Sequence, residues 1–227
     1  MSDNEFEHLY KGIIDCAKTY NCRIVGGDLT GSDALVISIT VFASSPQKPM
    51  LRSAAKAGYK VIVSGDFGAS ASGLQLILQG QLADANASHM MMKHLRPKPR
   101  LLEAKELHTV CMGEGALMDA SDGLADALLQ IAEQSGVAIQ VEASKIPVHK
   151  ETVSAAELSG KIALSQALYG GEDYELVACI PSDALKVCEK SGFTCIGNVL
   201  EGSGVRVLYP DGLEEVLSRE RIFQHWI

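Results

Sequence analysis

ALMDASDGLADALLQIAEQSG, residues 116–136, is the stretch of sequence that decides the fold. Its apolar start ends at Asp119 and predicts a strand, and the apolar residues that follow at helical spacing predict a helix directly after it. Ser121 or Asp122 is expected to cap the start of that helix, and Gly136 is well placed to end it. A strand that turns directly into a helix favours an α/β protein.

The flanking sequence extends this layout in both directions. Residues 5–20 have the spacing of an amphipathic helix, residues 24–25 read as a short buried segment, and LVISITVFA at 35–43 predicts a well-covered strand. The loop-like SSPQKP at 44–49 is the expected domain boundary, with one domain over 1–48 and another over 49–227. Further strands are predicted at 59–65, 137–142, 175–180, 193–196 and 205–209, and further helices around 74–78 and over 122–135 and 183–191. The predicted fold class is α/β (α+β), with a mixed sheet flanked by helices.

Composition narrows the function classes. The net charge of −8 argues against a nucleic-acid partner, which normally meets a basic surface. Apolar runs are too short to span a membrane, and the acidic opening MSDNEFEH is unlike a signal peptide, so a cytoplasmic location is expected. The six cysteines form no CxxC pair and are expected to be small core residues rather than disulfides or zinc ligands.

Three acidic motifs are candidates for chemistry. Asp119 and Asp122 lie three residues apart across the predicted turn, where both could face one magnesium ion. The alternative is simple helix capping by Ser121 and Asp122, with Asp119 and Asp126 solvated. The helix start after Asp122 suits a phosphate. Asp28 follows two glycines and could add a third carboxylate, or form an ordinary turn. Glu172 and Asp173 follow Gly170 and Gly171 before a predicted buried strand, where a carboxylate could pair with a cationic ring or hold a hydroxyl, or both could be solvated loop acids.

Two further signals bear on phosphate binding. No GxxxxGK[ST] loop occurs and no GxGxxG follows a strand, which argues against a P-loop kinase or a dinucleotide-binding dehydrogenase. The basic stretch KHLRPKPR at 93–100 could reach a phosphate, but its two prolines favour a surface connector.

Taken in order, five motifs resemble the thiamine-monophosphate kinases of the aminoimidazole ribonucleotide synthetase-like superfamily. They are GGD (26–28), VSGDFGASASGL (63–74), HLRPKPR (94–100), MDASDGL (118–124) and GGEDYEL (170–176). The resemblance covers essentially the whole chain, while implying that it lacks the N-terminal part of the family's first domain. It implies phosphoryl transfer from ATP to thiamine phosphate, the last step of thiamine diphosphate biosynthesis, with Mg²⁺ and, in the full-length family, a homodimer.

The resemblance also implies roles for individual positions. The implied metal ligands and catalytic residues are Asp28, Asp119 and Asp122. ATP would be contacted by Gly27, Asp28, Arg52 and Ser121, and thiamine phosphate by Glu172 and Phe223. Three positions, Leu29, Ala69 and Gln224, depart from the residues that the family usually has. An alternative is a shortened, non-catalytic homologue that binds nucleotide or thiamine phosphate, or another member of the superfamily. Under either reading, residues 1–48 are expected to be the less ordered and more protease-sensitive part.

Overall fold

The chain divides into two units, Met1–Ser44 and Ser45–Ile227. The computed structural model describes residues 2–45, 47–80, 88–158 and 161–222. Among these residues, no helix is long and apolar enough to cross a membrane.

The first unit contains one helix, α1 (Asp3–Thr19), which confirms the amphipathic helix that the sequence predicts. Ser2 caps it, since the backbone N–H of Glu5 donates to the Ser2 hydroxyl and the Glu5 carboxylate accepts from the Ser2 backbone N–H. No helix or strand follows within the described part of this unit.

Two predictions for the first unit are wrong. Ile24 and Val25 are exposed, at 48% and 88%, and the apolar run at 35–43 is neither a strand nor covered. β-Branched residues favour an extended backbone, but a strand also needs a neighbour for its N–H and C=O groups. None of the described residues pairs with this run, so the propensity alone does not produce a strand.

The second unit is built on a mixed sheet with helices on both faces, which confirms the predicted fold class. The strands are β1 (Lys60–Val63), β2 (Ala116–Asp119), β3 (Ala138–Glu142), β4 (Leu176–Ile180), β5 (Thr194–Leu200), β6 (Gly204–Leu208) and β7 (Glu214–Val216). Their order is β2-β4-β1-β5-β3-β6-β7, and every neighbouring pair is antiparallel except β3 and β6. The helices are α2 (Ala69–Leu78), α3 (Ser88–Leu95), α4 (Leu101–Val110), α5 (Leu124–Ser135), α6 (Lys150–Leu158), α7 (Ala163–Tyr169) and α8 (Leu185–Lys190).

Alternation along the central strands separates two apolar cores. Val61 and Val63 of β1 point into the larger core with α5 and α7, whereas Ile62 points into a second core with α4 and α8. Such a period of two is what a strand covered on both faces requires. Of the cysteines, Cys111, Cys179 and Cys188 are buried as predicted and Cys195 is partly buried, but Cys16 and Cys22 are exposed.

Candidate functional site

Three loops meet at one end of the sheet because of strand direction. In the antiparallel ladders Val63 of β1 lies opposite Val177, and Asp119 of β2 lies opposite Leu176. The segments that follow β1 and β2 and the segment that precedes β4 therefore lie at the same end of the sheet. These three loops carry the second, fourth and fifth of the motifs in the sequence.

The turn at 119–123 leads from β2 into α5. The N-cap residue of α5 is Gly123, at φ +102°, so the N-cap position falls on neither Ser121 nor Asp122, where the sequence predicted it. The chain needs a glycine here to make the turn, and a Cβ on Gly123 would lie 2.9 Å from the Leu168 carbonyl oxygen. At the other end, Gly136 closes the helix in the left-handed conformation, as predicted.

The loop at 170–175 packs directly on that turn. The backbone N–H of Glu172 donates to the Ser121 carbonyl at 2.7 Å, and the N–H of Ala120 donates to the Glu175 carbonyl at 2.8 Å. A Cβ on Gly171 would lie 3.0 Å from the same Ser121 oxygen, so only glycine allows this approach. The sequence motifs at 118–124 and 170–176 thus form one backbone assembly.

Carboxylates gather where the two loops meet. Asp119 and Glu172 are exposed and Asp122 is partly buried. The Tyr174 hydroxyl donates to Glu172 Oε2 at 3.1 Å. Partial burial, this bond and the negative charges of Glu172, Asp119 and Asp122 together raise the pKa of Tyr174. All three carboxylates are near enough to the Tyr174 hydroxyl for their charges to raise its pKa. We call Asp119, Asp122 and Glu172 the acidic rim.

Asp173 is turned inward between the exposed Glu172 and the partly buried Tyr174. It is only 3% exposed and accepts the backbone N–H groups of Gly68 at 2.7 Å and Ser70 at 3.0 Å, at the start of α2. Burial raises the pKa of this carboxyl to about 6, although the two backbone bonds act in the opposite direction. It is not a solvated loop acid but the cap of a helix that has none of its own.

Glu175 is fully buried and connects the motif at 63–74 to the basic stretch. Its carboxylate accepts from the Ser64 hydroxyl at 2.6 Å, from Lys93 Nζ at 2.6 Å and from Arg100 Nη2 at 2.5 Å. Lys93 also lies 3.3 Å from Asp66. The stretch at 93–100 does connect α3 to α4 along the surface at its prolines, but its first and last cations point into the protein.

The remaining predicted residues are not part of these three loops. Arg52 donates to the Gln130 side chain of α5. Gln130 lies six residues beyond Leu124, the first residue of α5, which at 1.5 Å per residue is about 9 Å along the helix. Gly27 and Asp28 belong to the first unit, where the Asp28 carboxylate accepts from the Leu29 backbone at 2.9 Å. Phe223 and Gln224 lie outside the described residues.

The donor set at the acidic rim suits magnesium shared with phosphate rather than a cage made only of protein. Among the described residues, no three His, Cys, Asp or Glu side chains are grouped to hold an ion by themselves. Mg²⁺ commonly takes one or two carboxylates and completes its shell with phosphate oxygens and waters. Asp119 and Asp122 fit that smaller contribution.

Sequence reasoning missed Tyr174, Asp173 and Glu175 as structural partners of the site. A signal was available in GGEDYEL. Asp173 and Glu175 lie two residues apart, a spacing that puts two side chains on the same side of an extended chain, directly before a strand that is buried throughout. A buried carboxylate requires a cation or several donors. Lys93 and Arg100 are cations of the required kind, but they lie 82 and 75 residues from Glu175 in sequence, so the sequence alone does not indicate the pairing.

Residues 56–210 match the family described as AIR synthase related protein, C-terminal domain. The matched range includes all three loops described above. The chain is 34% identical to the thiamine-monophosphate kinase of Synechococcus elongatus, over 97% of this chain and 68% of that protein. It is 30% identical to that of Bacillus subtilis, over 99% of this chain and 71% of that protein. The chain belongs to the thiamine-monophosphate kinase family.

A solved structure supports this assignment over the whole chain. The structure described as AaThiL complexed with AMPPCP and TMP is 28% identical, with a TM-score of 0.82. The match covers 100% of this chain and 70% of that one. The resemblance read from the five motifs is therefore confirmed, and the chain spans roughly two thirds of the length of its relatives.

Proposed function

We propose that the chain takes part in the ATP-dependent phosphorylation of thiamine phosphate to thiamine diphosphate, the last step of thiamine diphosphate biosynthesis. The observation that carries the proposal is the 2.7 Å bond between the Glu172 N–H and the Ser121 carbonyl. That bond joins the turn with the proposed metal ligands to the loop with the proposed acceptor contact. The similar structure described as complexed with AMPPCP and TMP supports this choice of substrates.

Asp28, Asp119 and Asp122 are the proposed ligands of Mg²⁺ and the groups on which transfer depends. A bound magnesium ion would offset the charge of the phosphate oxygens, which the carboxylates alone would repel. Asp119 at the end of β2 and Asp122 in the following turn are fixed by backbone that is itself hydrogen-bonded. Rigid support of this kind matters because positioning supplies most of the rate in phosphoryl transfer.

Phosphate and acceptor contacts complete the proposal. Ser121 and the backbone at Gly27 and Asp28 would contact ATP, and Arg52 would reach its phosphates. The start of α5, whose N-cap residue is Gly123, offers N–H groups and positive partial charge in the same place. Transfer would be direct and in line, with no covalent enzyme intermediate.

Glu172 and Phe223 are the proposed contacts to thiamine phosphate. The exposed carboxylate of Glu172 would face the cationic ring, and the Tyr174 hydroxyl, 3.1 Å away, would hold it in one orientation. Phe223 would stack on the rings. A homodimer and a cytoplasmic location are further parts of the proposal and rest on the family resemblance.

The test is a kinase assay on the purified chain with ATP, Mg²⁺ and thiamine phosphate, following thiamine diphosphate by chromatography. Asp122→Asn removes a proposed ligand while keeping the size of the side chain, so we expect turnover to fall by roughly a hundredfold or more. Asp183→Asn, at an exposed site far from the turn in sequence, is the control and should retain activity. Unchanged turnover in Asp122→Asn would exclude the proposed metal role.

Binding without turnover is the second candidate function. Calorimetry with thiamine phosphate and with a non-hydrolysable ATP analogue separates the two functions. Binding in the absence of any product supports the non-catalytic homologue, and product formation rules it out.

A further inference from the structure

Glu175 has an environment that its place in a loop does not require. It is fully buried, and burying a carboxylate costs several kcal/mol unless charges and hydrogen bonds compensate. Compensation comes from three different parts of the chain: Ser64 after β1, Lys93 in α3 and Arg100 before α4. A Cβ on Gly65 would overlap the carboxylate, so the backbone closes over it as well.

The backbone of Glu175 is equally engaged. Its carbonyl accepts the Ala120 N–H at 2.8 Å, and that residue directly follows Asp119. The hydroxyl of Ser64, which donates to the carboxylate, also accepts the N–H of Leu176 at 2.8 Å. Glu175 thus holds the turn at 119–123 with its main chain, while cations from α3 and the start of α4 hold its side chain.

The loop that Glu175 ends needs such restraint. Glu172 and Tyr174 have φ angles of +60° and +53°, in the left-handed region that is unfavourable for residues other than glycine. Strained backbone persists only where surrounding contacts determine it. The 170–175 loop has Asp173 bonded to the start of α2 and Glu175 bonded to α3 and Arg100, one on each side of Tyr174.

We infer that Glu175, with Lys93 and Arg100, is a positioning residue that fixes the 170–175 loop against the 119–123 turn. In this role Lys93 and Arg100 neutralise the buried Glu175 carboxylate and do not contact substrate. They support the site indirectly, through the loop that Glu175 ends. The link to catalysis rests on the proposed function, because Glu175 itself touches none of the proposed ligands.

The test is hydrogen exchange of the Glu175→Gln variant, without any ligand. Glutamine keeps the shape and can still accept from Ser64, but it removes the buried negative charge that Lys93 and Arg100 share, leaving each cation only its less buried second partner, Asp66 or Glu103. Peptides spanning 116–124 and 168–176 should exchange roughly tenfold faster or more, because the charge-assisted bonds to Glu175 oppose local opening of these loops. Peptides from β6 (Gly204–Leu208), at the far side of the sheet, should be unchanged.

Glu103→Gln is the matched control, since Glu103 lies 3.1 Å from the same Arg100 but is 32% exposed. It should leave both loop peptides unchanged. Arg100→Lys keeps the charge and loses the guanidinium fork, and it should give a smaller loop-specific effect. Arg100→Lys also provides the decisive measurement if Glu175→Gln does not fold.

Two results would overturn the inference. Exchange that rises equally in the loops and in β6 would mean that Glu175 only supports global stability. Loop exchange equal to wild type in Glu175→Gln, or in Arg100→Lys where the first variant does not fold, would mean that it fixes neither loop.

Thiamine phosphate affinity of the same variants is measured separately. We call faster exchange confined to the two loop peptides the loop signature. Loss of thiamine phosphate binding together with the loop signature links positioning to function. The loop signature in a chain whose wild type binds no thiamine phosphate contradicts the proposed function but not the role of Glu175 in holding the loops.

Discussion

Asp173 and Glu175 are buried acids two residues apart, and their carboxylates have different partners. Glu175 has two cations and a hydroxyl at its carboxylate, whereas Asp173 has two backbone N–H groups, with burial acting against its charge. The pKa of Asp173 is consequently raised, to about 6 from an ordinary 3.8. Such a difference makes Asp173 a source of pH dependence in stability.

We expect Asp173 to make the wild-type protein relatively more stable in acid. The folded state binds the proton of this carboxyl more tightly than the unfolded state does, so protonation stabilises the fold. That contribution is fully present below 3.8 and is lost as the pH rises through about 6. Urea unfolding of wild type and of Asp173→Asn should show a difference in unfolding free energy that declines over this window by roughly 1–3 kcal/mol.

Asp183→Asn, at an exposed site, controls for the loss of one acid and should give a flat difference over the same window. A difference that grows with pH would contradict the prediction. It would mean that the Gly68 and Ser70 N–H groups outweigh burial and lower the pKa of Asp173 in the folded protein.

Gly65 provides a second prediction at this scale. It has φ +51°, and a Cβ there would meet the Glu175 carboxylate. Gly65→Ala should lower the free energy of unfolding by about 1–2 kcal/mol through the backbone and by roughly 1–3 kcal/mol more through overpacking. Thermal or urea unfolding measures the sum.

Gly136→Ala is the matched variant, because Gly136 has a similar φ of +65° and open space where a Cβ would be. It should show the backbone cost alone. Equal losses in the two variants would mean that the protein relaxes around Glu175 without cost, against the tight packing described for that carboxylate.

The acids of the site show where residue-level prediction stops. The sequence identified the DASDG and GGEDYE motifs because their order and glycines are visible along the chain. It could not distinguish the exposed Glu172 from the buried Asp173 and Glu175, since burial depends on α2, α3 and α4. Those elements come from residues 64–110, far from the loop in sequence.

Elements were more predictable than side-chain partners. Strands β1, β3, β4, β5 and β6 lie where alternating or continuous apolar runs indicated, and α5 and α8 follow their helical patterns. The exception is the run at 35–43, which has strong β-propensity yet remains unpaired among the described residues. Propensity describes what a backbone tolerates, and a strand also requires a partner.

The contact between β3 and β5 yields a prediction for elements. Gly197 of β5 lies opposite Val141, and a Cβ on it would overlap the carbonyl oxygen of Gln140 in β3. Because backbone atoms cannot move aside as a flexible side chain can, Gly197→Ala should cost roughly 1–3 kcal/mol of unfolding free energy. Urea unfolding followed by circular dichroism gives that value.

Gly12→Ala is the contrasting variant, since Gly12 lies within α1 with no atom within 4 Å of a Cβ. Alanine should be neutral there or favour the helix. A Gly197→Ala protein as stable as wild type would show that β3 and β5 can separate slightly without losing their ladder.

The whole molecule has its apolar core in one part of the chain. Every buried apolar residue among those described lies at Met50 or later, and α1 buries none of its residues. The segment after α1 instead exposes large apolar side chains: Ile24, Val25, Leu29, Leu35, Val36, Ile37, Ile39, Val41 and Phe42. Burial is the main favourable term in folding, so the two units should differ greatly in stability.

We therefore expect proteases to cut within residues 20–48 first. Chymotrypsin prefers large apolar and aromatic residues. Leu35 and Phe42 are exposed in backbone that has neither helix nor ladder bonds, and Tyr20 is exposed at the C-terminal cap of α1. Exposed Leu200 and Leu213 in the second unit are the internal control, since they lie at the end of β5 and next to β7 and should be cut later. Mass spectrometry of a time course identifies the order.

The product should behave as a folded protein, because both cores and the whole sheet lie between Met50 and Ile222. A chain starting at residue 49 should keep the thermal transition of the parent and remain monodisperse at higher concentration, since it lacks the exposed apolar run. Survival of residues 1–48 for as long as the rest would contradict this expectation, because nothing described in that segment other than α1 resists a protease. Such a result would mean that the apolar run is covered in solution by contacts of its own, and a concentration-dependent cleavage rate would show that a second copy of the chain provides them.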